Sequence, residues 1–172
     1  KQEAFTQAGG NITLTAQESI EHHGKLHSGG TLSIESHAGD IRQSGTLAAA
    51  GDVRIGAGGS IESRGHLLAG SDANSHLVQA ADLTLSSQGN IRASGSLLSK
   101  KEVSLSAQQI DLSQSQLAAR HATITAKSGK VASRQVKIDS DSLNIKATGD
   151  VEAQQSQVKA GRWDITDVIR VW

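Results

Sequence analysis

One phrase of this chain returns at a nearly constant distance, and few folds tolerate that. The segment Asn11-Ile12-Thr13-Leu14-Thr15-Ala16 is echoed at Thr31-Leu32-Ser33-Ile34, Asp52-Val53-Arg54-Ile55, Asp82-Leu83-Thr84-Leu85 and Glu102-Val103-Ser104-Leu105. Fainter copies follow at Ala122-Thr123-Ile124, Leu143-Asn144-Ile145 and Trp163-Asp164-Ile165. Counted from Ile12, the spacings are 20, 21, 30, 20, 19, 21 and 20, a period of 20 with one insertion of ten. Self-similarity at such a period marks an array of stacked units.

Two further echoes share the period. One runs through Ile20, Ile41, Ile61, Ile91, Ile110, Val131 and Val151, the other through Leu26, Leu47, Leu67, Leu97, Leu117, Ile138 and Val158. Each lies in a short apolar-polar alternation bounded by Gly, Ser, Asn or Asp, which is the pattern of a strand between turns. The expected fold is therefore all-β: a right-handed parallel β-helix of about eight coils, each of about 20 residues with three short strands. The chain reads as a single segment, 1–172, with coils at 9–28, 29–50, 51–70, 81–100, 101–120, 121–140 and 141–160, an insertion at 71–80 and a partial coil at 161–172. Helices are excluded because no window sustains apolar spacing of three and four. A sandwich needs short strands too, but not the recurrence of every strand at one place in a fixed period.

Composition agrees with a narrow, repetitive core. There is no Pro, Cys, Met or Tyr, one Phe (Phe5) and two Trp (Trp163 and Trp172), so Leu, Ile, Val and Ala must fill the interior. The absence of cysteine removes disulfides and thiolate metal sites. Seventeen basic residues balance seventeen acidic ones, which gives no electrostatic reason to expect a nucleic-acid partner. No apolar run reaches membrane-spanning length, so no membrane span is expected. The first residue is Lys1 and no secretory leader precedes the repeats, as expected of a piece of something larger.

If the register is right, equivalent outward positions pile up. The residue after each second-strand aliphatic is Glu21, Arg42, Glu62, Arg92, Asp111, Ala132 and Glu152, a structural charge ladder whose sign alternates through five coils. Gly24, Gly45, Gly65 and Gly95 share a column that predicts a positive φ or a tight corner, and Gln114, Gln135 and Gln155 take the column over where the arc to the third strand lengthens by a residue. Stacked glutamines are expected to exchange amide hydrogen bonds along the rod. The insertion must leave the coil as a loop or flap, and Ser71, Asp72, Asn74, His76 and Leu77 are its candidate binding residues. The competing reading is a tolerated insertion whose Leu77 and Val78 pack on the rod.

The phrase Gly29-Gly30-Thr31-Leu32-Ser33-Ile34, followed by Gly39-Asp40-Ile41, Ser44-Gly45-Thr46-Leu47 and Gly51-Asp52-Val53, resembles the repeats of filamentous haemagglutinin and of the related contact-dependent growth inhibition exoproteins. The resemblance covers nearly the whole chain. It implies the shaft of a very large Gram-negative exoprotein, secreted or held at the cell surface and exported through an outer-membrane two-partner secretion transporter. Such shafts project an adhesive or toxic tip. The Asn-rich motifs of the family's secretion domain are missing, and the stretch Asp164 to Trp172 departs from the repeat.

Enzymatic motifs do not survive inspection. Gly56-Ala57-Gly58-Gly59 mimics a dinucleotide-binding turn, but Ile61 stands where its third glycine belongs and no helix follows. Glu21, His22, His23, His27 and His37 are dense enough for a metal, yet on a strand His22 and His23 point to opposite faces, so no metal and no cofactor is expected. Aromatic platforms for a sugar-cleaving cleft are missing between Phe5 and Trp163. Asn11-Ile12-Thr13 fits a glycosylation acceptor, but lies in the strand repeat. The expected function is a structural shaft supporting adhesion. Binding of a host or target-cell receptor or glycan by the insertion or a sheet face is the alternative, and a polysaccharide-degrading enzyme the third. Unpaired strands at the ends of such a rod are expected to make it associate end to end.

Overall fold

The computed structural model describes residues 5–166 and 169–171. It is a parallel β-solenoid without helices among these residues, and no helix is long and apolar enough to cross a membrane. The three aliphatic echoes form three ladders. Ile12, Leu32, Val53, Leu83, Val103, Ala122, Leu143 and Trp163 are successive partners on parallel strands. A second ladder runs from Ile20 to Val151, and a third from Thr6 through Leu26 to Val158. The insertion leaves the register untouched, since Leu83 stacks on Val53 and Ile91 on Ile61 across it.

The period-two pattern turns one aliphatic row inward. Leu32, Leu47, Val53, Leu67, Leu83, Leu85, Val103 and Leu105 have no exposed surface, and together with their neighbours above and below form one continuous core. Each such side chain contributes about 1.5–3 kcal/mol by leaving water. That gain is shared between adjacent coils, so it is a property of the stack.

In the first coils the polar residue before several first and second strands has a structural task. Oδ1 of Asn11 accepts from the amide of Thr31 at 2.8 Å, Oδ1 of Asp40 from Ser60 at 2.8 Å, Oγ of Ser60 from Asn90 at 3.0 Å and Oδ1 of Asp52 from Asp82 at 2.9 Å. At these corners a short side chain of one coil satisfies a main-chain donor of the next, a task that suits Asn, Asp and Ser. Asn11, the glycosylation candidate, is one of these caps.

Three short strands per coil holds only as far as the strand Ile110–Asp111. From Gln116 onward the third strand of one coil runs without a break into the first strand of the next, giving the long strands Gln116–Ala126, Lys137–Ala147 and Gln157–Thr166. The glycines at this earlier corner, Gly29-Gly30 and Gly51, give way to Arg120 and Asp141, and the chain there stays extended. Of the partial coil, Ile169–Val171 pairs with the strand Val151–Gln154, and Trp172 lies outside the described residues.

The glycine column divides between the two expected causes, a positive φ and a tight corner. Gly24 has a positive φ of 106°, but Gly45, Gly65 and Gly95 do not share it. They are needed because a Cβ on each would land on the carbonyl oxygen of the column's glycine one coil below. The strained corners belong to the glutamines: Gln114, Gln135 and Gln155 have φ of 63°, 55° and 48°. Of the expected amide ladder one rung is formed, from Nε2 of Gln135 to Oε1 of Gln155 at 3.4 Å.

Candidate functional site

Two surfaces carry the sequence candidates. On the second-strand face, Glu21, Arg42, Glu62, Arg92, Asp111, Ala132 and Glu152 are successive partners. Ion pairs form between Glu21 and Arg42 at 3.3 Å and between Arg92 and Asp111 at 3.9 Å. Glu62 is not held by either arginine of the column. It accepts instead from Arg64, whose Nε lies 2.9 Å away on the same coil. Where Ala132 interrupts the charges, a depression of about 270 Å³ opens among Arg92, Asp111, Lys130 and Arg134. Lys130 leans toward Glu152 at 3.6 Å. Pairs this exposed contribute about 0.2–1 kcal/mol each and are weakened by salt.

The second surface is the insertion, which is a strap rather than a free loop. It leaves the third strand His66–Ala69 at Gly70, whose φ is 78°, and a bridge between Ser71 and Leu77 closes it on itself. Within the closure Oδ1 of Asp72 accepts from the amides of Asn74 and His76, both at 2.9 Å, and His76 sits 3.6 Å from the same carboxylate. Those amide donors, first that of His76, hold the Asp72 carboxyl below the usual carboxylate range.

The strap then ties itself down the rod. Nε2 of His27 lies 3.1 Å from the carbonyl oxygen of Ser71, Nζ of Lys25 donates to the carbonyl of Ala73 at 2.7 Å, and Nε2 of Gln79 donates to the carbonyl of Ala50. Beneath it the outward column His27, Ala48 and Leu68, which a bare third-strand face would leave in water, is buried. Among the candidate binding residues, Asp72 and His76 are brought together and Asn74 and His76 face solvent, while Ser71 is fully buried and Leu77 half-buried. Val78 does not pack on the rod; it is 56% exposed. The anchors Lys25, His27 and Gln79 were missed, although an imidazole in a column that continues as Ala48 and Leu68 was a signal.

The histidine set disperses. Nδ1 of His23 is 2.5 Å from Oγ of Ser44, His37 sits 3.5 Å from Glu35, and His27 serves the strap. His22 turns inward beneath Gln43, where burial, and then the nearby His23, push its pKa down. Among the described residues no group of three or more His, Cys, Asp or Glu side chains could hold a metal ion.

Comparison with known families divides the chain in two. Residues 5–62 match repeats of unknown function (DUF5649), and residues 73–166 match the haemagglutinin repeat. No curated protein and no solved structure matched the chain. The haemagglutinin match covers more than half of the 172 residues and spans the coils whose ladders continue those of the first half. By its repeat and by its parallel solenoid, this chain belongs to the haemagglutinin repeat family.

Proposed function

We propose that this chain is a shaft segment of a large bacterial exoprotein, a rod that holds an adhesive or toxic tip away from the cell that makes it. Haemagglutinin repeats form adhesin-like shafts and are typical of secreted or surface bacterial proteins. The observation that carries the reading is register. All three ladders pass an insertion of ten residues without slipping, so the rod gains length by adding equivalent coils, about 4.8 Å for each. In this reading the parent protein leaves the cell through an outer-membrane two-partner secretion transporter, stacks coil upon coil outside, and supports adhesion to a host or target cell.

The test is to remove one storey. Glu102 and His121 are register partners, so deleting residues 102–120 places His121 in the rung of Glu102. In a surface-displayed filament carrying this segment, the deletion should leave a folded rod shorter by about 5 Å with cell attachment unchanged. Attachment lost while the rod stays folded would overturn the shaft reading.

A second reading, receptor or glycan contact through the strap, is favoured by the outward placement of Asn74, His76 and Val78. These side chains do not anchor the strap, so the combined substitutions Asn74→Ala and Val78→Ser should leave unfolding unchanged. Loss of cell binding in that variant would support the strap as the contact.

A further inference from the structure

The alternation of charge along the second-strand face breaks at one place. Arg42, Glu62, Arg92 and Asp111 follow one another rung by rung, and Ala132 stands where the next cation belongs, between Asp111 one coil below and Glu152 one coil above. The cations of this coil are displaced to either side, with Lys130 two residues before Ala132 and Arg134 two residues after it. An arginine at this rung would fill the depression of about 270 Å³ that Ala132 lines together with Lys130 and Arg134.

Three cations, Arg92, Lys130 and Arg134, and one carboxylate, Asp111, border the depression, an excess of two positive charges in a chain of zero net charge. None of the three is held tightly. Arg134 has no ionic partner among the described residues, the Arg92 guanidinium is 3.9 Å from Asp111, and Lys130 is 3.6 Å from Glu152. The one carboxylate is already engaged, since Oδ1 of Asp111 accepts from the amide of Ser113 at 2.9 Å. The Ser113 hydroxyl and the side-chain amide of Gln109 add neutral donors to the rim.

We propose that this depression binds the phosphoryl group of a phosphate monoester. The planar fork of arginine meets phosphate oxygens with paired hydrogen bonds, and lysine adds a compact point charge. A monoester carries about −1.5 to −2 charges at neutral pH, which the local excess matches. A sulfate ester or a phosphodiester is singly charged and matches it less well. A nucleic-acid strand finds no aromatic side chain on which to stack its bases, since none lines the depression. The site is open, so a dissociation constant on the order of millimolar is expected, rising with salt. The inference goes beyond the shaft reading and does not depend on it.

The test follows amide chemical shifts of the whole chain at constant ionic strength. Methyl phosphate should move the signals of Ser113, Ala132 and Arg134 to saturation, and methyl sulfate should bind about tenfold more weakly or less. Arg134→Gln removes a cation without an ionic partner, so the unfolding temperature should stay that of the parent while the affinity falls about tenfold. Ala132→Arg separates a shaped site from a merely basic surface. It restores the alternation between Asp111 and Glu152 and fills the depression, so the rod should stay folded and lose methyl phosphate although it has gained a positive charge. Vesicles of phosphatidylcholine containing phosphatidic acid distinguish the sources of the monoester: sedimentation with them indicates a lipid headgroup, and methyl phosphate binding without sedimentation indicates a soluble ligand, both in keeping with the proposal. It is overturned if methyl phosphate moves none of those signals, if methyl sulfate binds as tightly, or if either variant binds methyl phosphate as well as the parent.

Discussion

The carbonyl oxygen of Ser71 lies 3.1 Å from Nε2 of His27, although 44 residues separate the two in the chain. This contact fastens the strap to a strand two rungs below its root, and so ties three coils together from outside. His27→Ala leaves the Ser71 carbonyl buried without a donor, which costs about 1–3 kcal/mol. The expected outcome is a lower midpoint in urea together with faster hydrogen exchange at the amides of Val78 and Gln79, both of which bond to Gly70. Faster exchange spread evenly over the rod would contradict a local fastening.

Gly65→Ala tests the stacked corner. The new methyl group would meet the carbonyl oxygen of Gly45, a main-chain atom that cannot swing away. A backbone shift through two coils is required, and a destabilisation of about 1–3 kcal/mol is expected. Urea unfolding measures it, and a loss below about 0.5 kcal/mol, the range of surface substitutions, would show that the corner yields.

Leu85→Ala tests the shared core. Leu85 is fully buried between Ile55 below and Leu105 above. Truncation leaves a cavity that a stack held by hydrogen bonds on both sides cannot close, at a cost of about 2–5 kcal/mol. The same change at Leu14, 37% exposed at the first coil, should cost markedly less. Equal losses in chemical denaturation would contradict this gradient of burial.

His22 gives the rod a pH dependence of known sign. Its folded pKa is depressed by burial below the ordinary value of 6.5, so the unfolded chain takes up a proton that the folded chain resists. Stability therefore falls as pH drops below 6.5 and levels off beneath the folded pKa. His22→Gln should remove that component. The difference in unfolding temperature between parent and variant should change between neutral and mildly acidic pH, and a constant difference would refute it.

The charge column invites the opposite expectation. Arg42→Glu would set a third carboxylate beside Glu21 and Asp40, which now lie 3.3 and 3.6 Å from the guanidinium. Since Glu21 and Arg42 are exposed and Asp40 only half-buried, the loss should be about 1 kcal/mol or less and should shrink in high salt.

The amino-acid sequence by itself determined the period, the three aliphatic ladders and the family, because a solenoid repeats each local environment and so writes its register into the spacing of Ile, Leu and Val. Ile12 over Leu32 over Val53 needed no coordinates. Tertiary structure alone decided what happens where the repeat is interrupted. That Glu62 turns to Arg64, that the strap folds down onto His27, and that Gly56 stands over open space while Gly58 is hemmed in all depend on which atoms lie across a gap of a few ångströms. Periodicity encodes neighbours one coil apart, and contacts made by an insertion, or by the absence of a side chain, have no period to reveal them.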